Sequence, residues 1–162
     1  MYFSLAEVKE LYPDITEAEY NMNGYEAQIR LDEVTTTVDG VKKLKSAMPI
    51  DPDDLEAVRR CFAKLTHELT LVERTKNELI SMSSVTSGAE GAHVGSVKSI
   101  SSGSESISFG TDANYTSPYV TAATNDEKKE EMLKNVLLTG LRGIKDKNGV
   151  NLLFGGVYPF GV

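Results

Sequence analysis

The sequence predicts a mainly α-helical protein: a small bundle of about four helices with one long central helix, a short β-hairpin arm and an extended C-terminal tail. Three observations predict it: repeated helix-start signatures, a long apolar stripe at helical spacing, and an uncharged stretch rich in Ser, Thr and Gly. We therefore divide the chain into four segments: an N-terminal helical domain (1–82), the arm with its hairpin near 96–110 (83–124), a C-terminal helix (125–147) and an apolar tail (148–162).

Two helices are predicted in the first 40 residues. Ser4 and Glu7 have the spacing of a capping box, in which each side chain bonds the other's free backbone N–H, and Pro13 should end this helix near Tyr12. A second box at Thr16–Glu19 begins a helix of about 18 to 20 residues, followed by a turn at Asp39–Gly40. This helix is predicted from apolar residues at helical spacing, which are Ala18, Met22, Tyr25, Ile29 and, after a slip, Val34.

The clearest helix start in the chain is at Asp51. Asp51 caps, Pro52 occupies the first helical position, and further acids fill the first turn. An apolar stripe then runs from Leu55 to Leu79, which predicts a helix ending near Ser81 and on the order of 45 Å long. Coiled-coil pairing is one explanation for so long a stripe. Packing against the two N-terminal helices is the other, and it is favoured because no second strict heptad is visible.

Residues 83–124 cannot bury enough apolar surface to fold alone, yet they contain one segment in which apolar and polar residues alternate. Ile100, Ile107 and Phe109 are placed to line one face of a hairpin that turns at Ser102-Gly103-Ser104. A lone two-stranded hairpin is marginally stable in water, so we expect it to lean on another surface.

A third capping box, Thr124–Glu127, predicts the start of the C-terminal helix, and Asn148-Gly149 predicts the turn after it. Residues 151–162 are apolar and carry no charge. Because an uncharged apolar segment at the end of a chain usually docks, we expect the tail to bind within the subunit or on a neighbour.

Composition and charge narrow the function classes. With 162 residues and a single cysteine, one domain is expected, and an intramolecular disulfide or a multi-cysteine zinc module is excluded. The absence of a long apolar run and of a basic N-terminal leader predicts a soluble protein of a reducing compartment that does not associate with membranes. A net charge of −7 argues against binding to nucleic-acid phosphates.

The acidity is concentrated in residues 1–33, which contain eight carboxylates against Lys9 and Arg30. Such a segment either faces solvent or lines a pore, and both interpretations remain open at this point. The residues that would line a pore are Glu7, Glu10, Glu17, Glu19 and Glu26.

The sequence contains no recognisable signature of catalysis. His67 is interpreted as a structural residue beside the apolar face of the long helix, Cys61 as a buried inert thiol, and His93 lies in a different region. The glycine-rich run from Gly88 to Gly95 matches neither a phosphate loop nor a dinucleotide fingerprint. The acids around Asp51 lack the glycine and distal glutamate of a calcium loop. We therefore expect no enzyme, no cofactor and no metal.

The order of these parts resembles the head–tail connector family of tailed phages of the siphophage type, also called head-completion or adaptor proteins. The resemblance covers nearly the whole chain and lies in the order of the pieces, with an arm that is longer and a chain end that extends further than is usual in the family. The matching pieces are Phe3-Ser-Leu-Ala-Glu-Val-Lys-Glu-Leu-Tyr12, Ile15-Thr-Glu-Ala-Glu19, the helix beginning at Asp51, the segment 97–109 and the segment 148–157.

The resemblance implies a structural virion protein that forms a ring of about a dozen copies beneath the portal, completes the DNA-filled head and seats the tail. Its partners would be other copies, the portal and a downstream neck or tail protein, and DNA would pass through without specific binding. The protein would be in the host cytoplasm during assembly and at the head–tail interface of the virion. The predicted interface residues are Ile100, Ile107, Phe109, Leu152, Leu153, Phe154, Val157 and Tyr158.

Three other functions remain as alternatives. Another phage neck protein, a stopper or tail terminator, is the nearest, although those tend to contain more β-structure. A monomeric helical binding or regulatory module would show no concentration-dependent assembly. A small hydrolase would depend on His67 or on a single serine. Under the connector interpretation, a chain ending at Asn151 should stay folded and fail to complete heads.

Overall fold

The computed structural model describes residues 1–86, 99–102, 105–108 and 117–160, with side chains at 1–81 and 117–160. Within those residues the protein is mainly helical. It forms two compact units, Met1–Glu68 with Leu133–Val162, and Leu69–Met132. The elements in chain order are α1 (Leu5–Lys9), α2 (Glu17–Thr35), α3 (Lys43–Ser46), α4 (Pro52–Thr86), β1 (Ser99–Ser102), β2 (Glu105–Ser108), α5 (Pro118–Thr124) and α6 (Asp126–Gly140).

Both N-terminal capping boxes are confirmed. The amide of Glu7 donates to the Ser4 hydroxyl while the Glu7 carboxylate accepts from the Ser4 amide, and Thr16 and Glu19 repeat the arrangement. α1 ends at Lys9, earlier than predicted, although a backbone bond from Tyr12 N to Val8 O continues the turn. The length of α2, 19 residues, agrees with the prediction.

The buried face of α2 is not the apolar stripe from which the helix was predicted. Its buried residues are Tyr20, Asn23, Gly24, Ala27, Leu31 and Thr35. At Gly24, within this buried face, a Cβ would lie 3.0 Å from the Met1 sulfur and 3.4 Å from the Tyr20 ring. At 100° per residue, the Met22, Tyr25 and Ile29 stripe lies on nearly the opposite side of the helix.

α4 starts as predicted, with the Asp51 carboxylate accepting from the amides of Asp53 and Asp54, and it continues to Thr86, past the expected end. In its first half Val58, Phe62 and Leu65 are fully buried. The Phe62 ring lies 5.6 Å from that of Phe3, and the His67 ring stacks on Tyr12 at 4.2 Å. These contacts agree with packing against the N-terminal residues.

Two short antiparallel strands lie inside the predicted arm. In β1 and β2, Ile100 is opposite Ile107 and Ser102 is opposite Glu105. Phe109 and the two residues between the strands lie outside the described residues, as do the two ends of the predicted hairpin segment 96–110. The role of this pair as an interaction arm stays a prediction.

The helical content of the predicted arm was underestimated. α5 occupies Pro118–Thr124, with the Ser117 hydroxyl capping it and Pro118 in its first turn. The predicted box at Thr124 is wrong as well. The Thr124 hydroxyl bonds back to Val120 O within α5, and Asn125 caps α6 through Lys128 N. Asn125 competes successfully because its side chain reaches the free amide while Thr124 is still helical.

α6 ends at Gly140 rather than near 147. A Cβ at Gly140 would lie 2.7 Å from the Cys61 sulfur, so glycine is required where α6 approaches α4. Gly143, in the turn that follows α6, adopts φ +79°, and the predicted Asn148-Gly149 turn is confirmed by φ +81° at Gly149.

Candidate functional site

The C-terminal tail is partly incorporated into the core of the unit formed by Met1–Glu68 and Leu133–Val162. Leu152 is fully buried, its amide donates to Ile144 O at 2.9 Å, and Tyr158 is also buried. The prediction that Leu152 and Tyr158 form an interface with another protein is therefore wrong for these two side chains. It follows that a chain truncated after Asn151 would lose part of its core.

A buried lysine holds the tail in place. Lys43, on α3, is fully buried, and its ammonium group donates to the carbonyl oxygens of Asn151, at 3.1 Å, and Phe154. Burial lowers the pKa of Lys43, and the negative charge of Asp146 partly opposes that shift. Two tail carbonyls are thus satisfied by one side chain, which fixes the backbone on either side of Leu153.

Two carboxylates fix Tyr158. The Tyr158 hydroxyl donates to Asp146, which also accepts from the amides of Asn148 and Val150 at 2.9 Å each. The Tyr158 amide donates to the Asp39 carboxylate at 3.2 Å. Burial, followed by the bond to Asp146, raises the pKa of the Tyr158 hydroxyl. The tail is therefore anchored at both ends by groups that accept hydrogen bonds from it or donate to it.

With the tail anchored in this way, four apolar side chains are presented to solvent. Val157 is 66% exposed and Val38 is 76% exposed, while Phe154 and Phe160 are each about half exposed. The Val38 amide donates to Gly155 O at 3.1 Å, which joins the loop after α2 to the tail. We call Val38, Phe154, Val157 and Phe160 the tail patch. Of the predicted interface residues in the tail, Phe154 and Val157 belong to it, and Leu153 is half-buried.

A second exposed apolar surface lies on α2. Tyr25 is 61% exposed and Met22 55%, and Ile29 is also exposed. With the exposed Ala18 they are spaced by four, three and four residues, so they form one stripe along the helix. We call Ala18, Met22, Tyr25 and Ile29 the α2 stripe.

The five acids predicted to line a channel have local roles or positions that the structure defines. Glu7 and Glu19 cap helices, Glu26 pairs with Arg30 at 2.8 Å, and Glu10 pairs with Arg59 at 2.6 Å. Glu17 is exposed in the first turn of α2, where the helix dipole favours a negative charge. Four of the five carboxylates thus serve the fold, and their position relative to a channel stays a prediction.

The two residues considered for catalysis are placed in structural surroundings. Cys61 is buried, and burial raises the pKa of its thiol to about 12, which suppresses the reactive thiolate. His67 is half-buried against Tyr12, while His93 lies outside the described residues. Within the described part of the chain, no group of three or more His, Cys, Asp or Glu residues is arranged to hold a metal ion.

One cavity of about 610 Å³ is lined by Asp51, Asp53, Asp54, Lys145 and Lys147, among others. Asp54 accepts from the Lys145 amide at 3.2 Å, and the Asp51 carboxylate is bonded to α4 amides. These carboxylates are therefore explained by the start of α4.

Among the described helices, none is both long and apolar enough to cross a bilayer.

Sequence reasoning missed Lys43, Asp146 and Asp39 as the residues that hold the tail, and Val38 and Phe160 as members of the tail patch. Nothing in the sequence separates Lys43 from its neighbours Lys42 and Lys45. The usable signal was Asp146 before Asn148-Gly149, since an aspartate there commonly accepts hydrogen bonds from the turn amides.

Comparison with protein families, curated proteins and solved structures finds no match to this chain.

Proposed function

We propose that this protein is a head–tail connector subunit of a tailed phage, one copy of a ring that assembles beneath the portal, completes the DNA-filled head and seats the tail. The observation that carries the proposal is the tail patch. Its four apolar side chains are held toward solvent by a backbone that Lys43, Asp146 and Asp39 anchor from inside.

The anchored tail provides a contact surface whose backbone is already ordered. Because the backbone of residues 151–158 is already ordered by internal hydrogen bonds, binding a neighbour through Phe154 and Val157 costs little further backbone ordering. An apolar patch on an ordered loop is typical of a surface that contacts another protein.

The mainly helical fold and the order of its segments also support a connector over a β-rich stopper or tail terminator. The local roles of Glu7, Glu10, Glu19 and Glu26 do not remove their charge, so the N-terminal segment remains acidic overall. A channel lined by such a segment would repel DNA phosphates and leave the strand free to slide.

The test is to add the purified protein to filled heads that lack it and to measure head completion and ring density at the portal. Val157→Glu should abolish completion while leaving the far-UV circular dichroism and the thermal midpoint unchanged, because the side chain is exposed. The matched control is Ile50→Glu, another exposed aliphatic residue in a loop, which should complete heads normally. Normal completion by the Val157 variant, or no ring with the unmodified protein, would contradict the proposal.

A further inference from the structure

We propose that the tail patch of one copy docks on the α2 stripe of a second copy, so that the chain assembles head to tail. The inference deepens the proposed connector function, on which it rests for the closing of the chain of subunits into a ring. It names the two surfaces that would meet, Val38, Phe154, Val157 and Phe160 on one copy and Ala18, Met22, Tyr25 and Ile29 on the next.

The α2 stripe is a surface that the unit itself does not use. The residues of α2 that pack inside the unit lie nearly opposite to it, so the helix is apolar on two faces. A helix that serves only one core needs one such face. Met22, Tyr25 and Ile29 are 55%, 61% and 40% exposed, and a partner is the simplest reason for an apolar stripe about 16 Å long.

The charges beside the two surfaces are complementary. Glu19, Glu26 and Glu33 repeat every seven residues along one edge of the α2 stripe, where Arg30 pairs with Glu26, and Asp32 lies on the other edge, so the acids outnumber the single base. The tail has no charged side chain from 148 to 162. Beside it, Lys42 and Lys45 are exposed at α3, the helix whose Lys43 bonds the tail, and Asp39 is the acid of the adjoining loop. The acids beside the α2 stripe are thus opposite in charge to the two exposed lysines of the element that holds the tail.

The same charges disfavour a symmetric pairing. If two α2 stripes met around a two-fold axis in antiparallel fashion, the glutamate edges would face each other, and like charges in such a position repel. Two different surfaces that fit each other produce a heterologous contact, which is the kind that closes into rings. The structure thus favours a second copy bound through unlike surfaces.

Two variants test this arrangement without heads or portal. Tyr25→Glu removes the stripe and Val157→Glu removes the patch, and each adds an acid to an exposed position. Sedimentation from about 10 µM to about 1 mM covers the affinity range of weak ring contacts. We expect the unmodified protein and Ile50→Glu to grow past dimers with concentration, and each of the two variants alone to remain monomeric.

The equimolar mixture gives the decisive result. Each variant retains one intact surface, so the mixture should form one-to-one dimers and nothing larger. A mixture that stays monomeric, a single variant that still dimerises, or an unmodified protein that is monomeric throughout would overturn the inference. If head completion persists after such a failure, only the docking inference is lost. If head-to-tail growth occurs but heads are not completed, the connector proposal is lost instead.

Discussion

α2 and the first half of α4 are both helices with apolar stripes, but the two stripes have different environments. In α4 the stripe is the buried face, with Val58, Phe62 and Leu65 fully enclosed. In α2 the stripe is exposed, while smaller or polar residues such as Gly24, Asn23 and Ala27 are buried. The comparison teaches that periodicity identifies a helix, whereas the buried face depends on which side chains allow a close approach.

Truncating one aromatic ring in each helix should show the difference most clearly. Phe62→Ala removes a fully buried ring and should lower the free energy of unfolding by about 3–5 kcal/mol. Tyr25→Ala removes a largely exposed ring, and its effect should be within about 0.5 kcal/mol. Urea unfolding followed by circular dichroism measures both values. A similar loss in the two variants would mean that the α2 stripe is packed in the free protein.

Two lysines of α3, the buried Lys43 and the exposed Lys45, give the same contrast between a buried and an exposed side chain. Lys43→Met leaves the carbonyls of Asn151 and Phe154 without their donor and should lower the free energy of unfolding by about 1–3 kcal/mol. Amide exchange at Leu152 and Tyr158 should accelerate in this variant. Lys45→Met, at an exposed position on the same short helix, is the control and should change neither quantity. Unchanged exchange after Lys43→Met would show that the tail is anchored by other groups.

Two glycines extend the comparison to backbone contacts. Gly140→Ala places a methyl group 2.7 Å from the Cys61 sulfur, and this overpacking should cost about 1–2 kcal/mol. Gly24→Ala meets the flexible end of Met1 at 3.0 Å, which can move aside, so alanine should stabilise α2 by about 0.5–1 kcal/mol. Thermal unfolding tests both. Adding Cys61→Ala should relieve the Gly140 variant, and no relief would place its defect elsewhere.

The smallest expected effect concerns acid stability at the start of α4. Hydrogen bonds from Arg59, and next from Arg60, lower the pKa of Glu56 from 4.5 to about 2. A lowered pKa means that the native state binds fewer protons than the unfolded state, so this contribution is present above pH 4.5 and is lost as the pH falls toward 2. Glu56→Gln should therefore flatten the decline of stability between these pH values. Because the group is exposed, the change should be small, and an unaltered slope would show that solvent screens it fully.

The starts of α1, α2 and α4 were predictable because caps depend on residues within one turn. The start of α6 was missed because two adjacent residues, Thr124 and Asn125, can both cap, and only α5 decides between them. The position of the tail was harder to predict from the sequence. That Leu152 is buried and Phe154 exposed depends on Lys43, which is more than one hundred residues distant in sequence.

The candidate site likewise has features that could be predicted from the sequence and features that could not. The uncharged apolar tail was expected to dock within the subunit or on a neighbour; Leu152 and Tyr158 are buried within their own unit, whereas Val157 and Phe154 are exposed. The α2 stripe was visible in the sequence as Ala18, Met22, Tyr25 and Ile29. The exposure of the stripe could not be predicted, because the face of a helix that is buried depends on how the whole unit packs.

The measurement that tests the central claim most directly is thiol labelling of Tyr25→Cys and Val157→Cys, each in the free protein and in completed heads. We predict that both cysteines react rapidly in the free protein and that both are protected after assembly. The native Cys61, which is buried and has a raised pKa, provides the unreactive internal reference. If either introduced cysteine stays as reactive in completed heads as in the free protein, that surface is not a contact of the ring, and the account is contradicted.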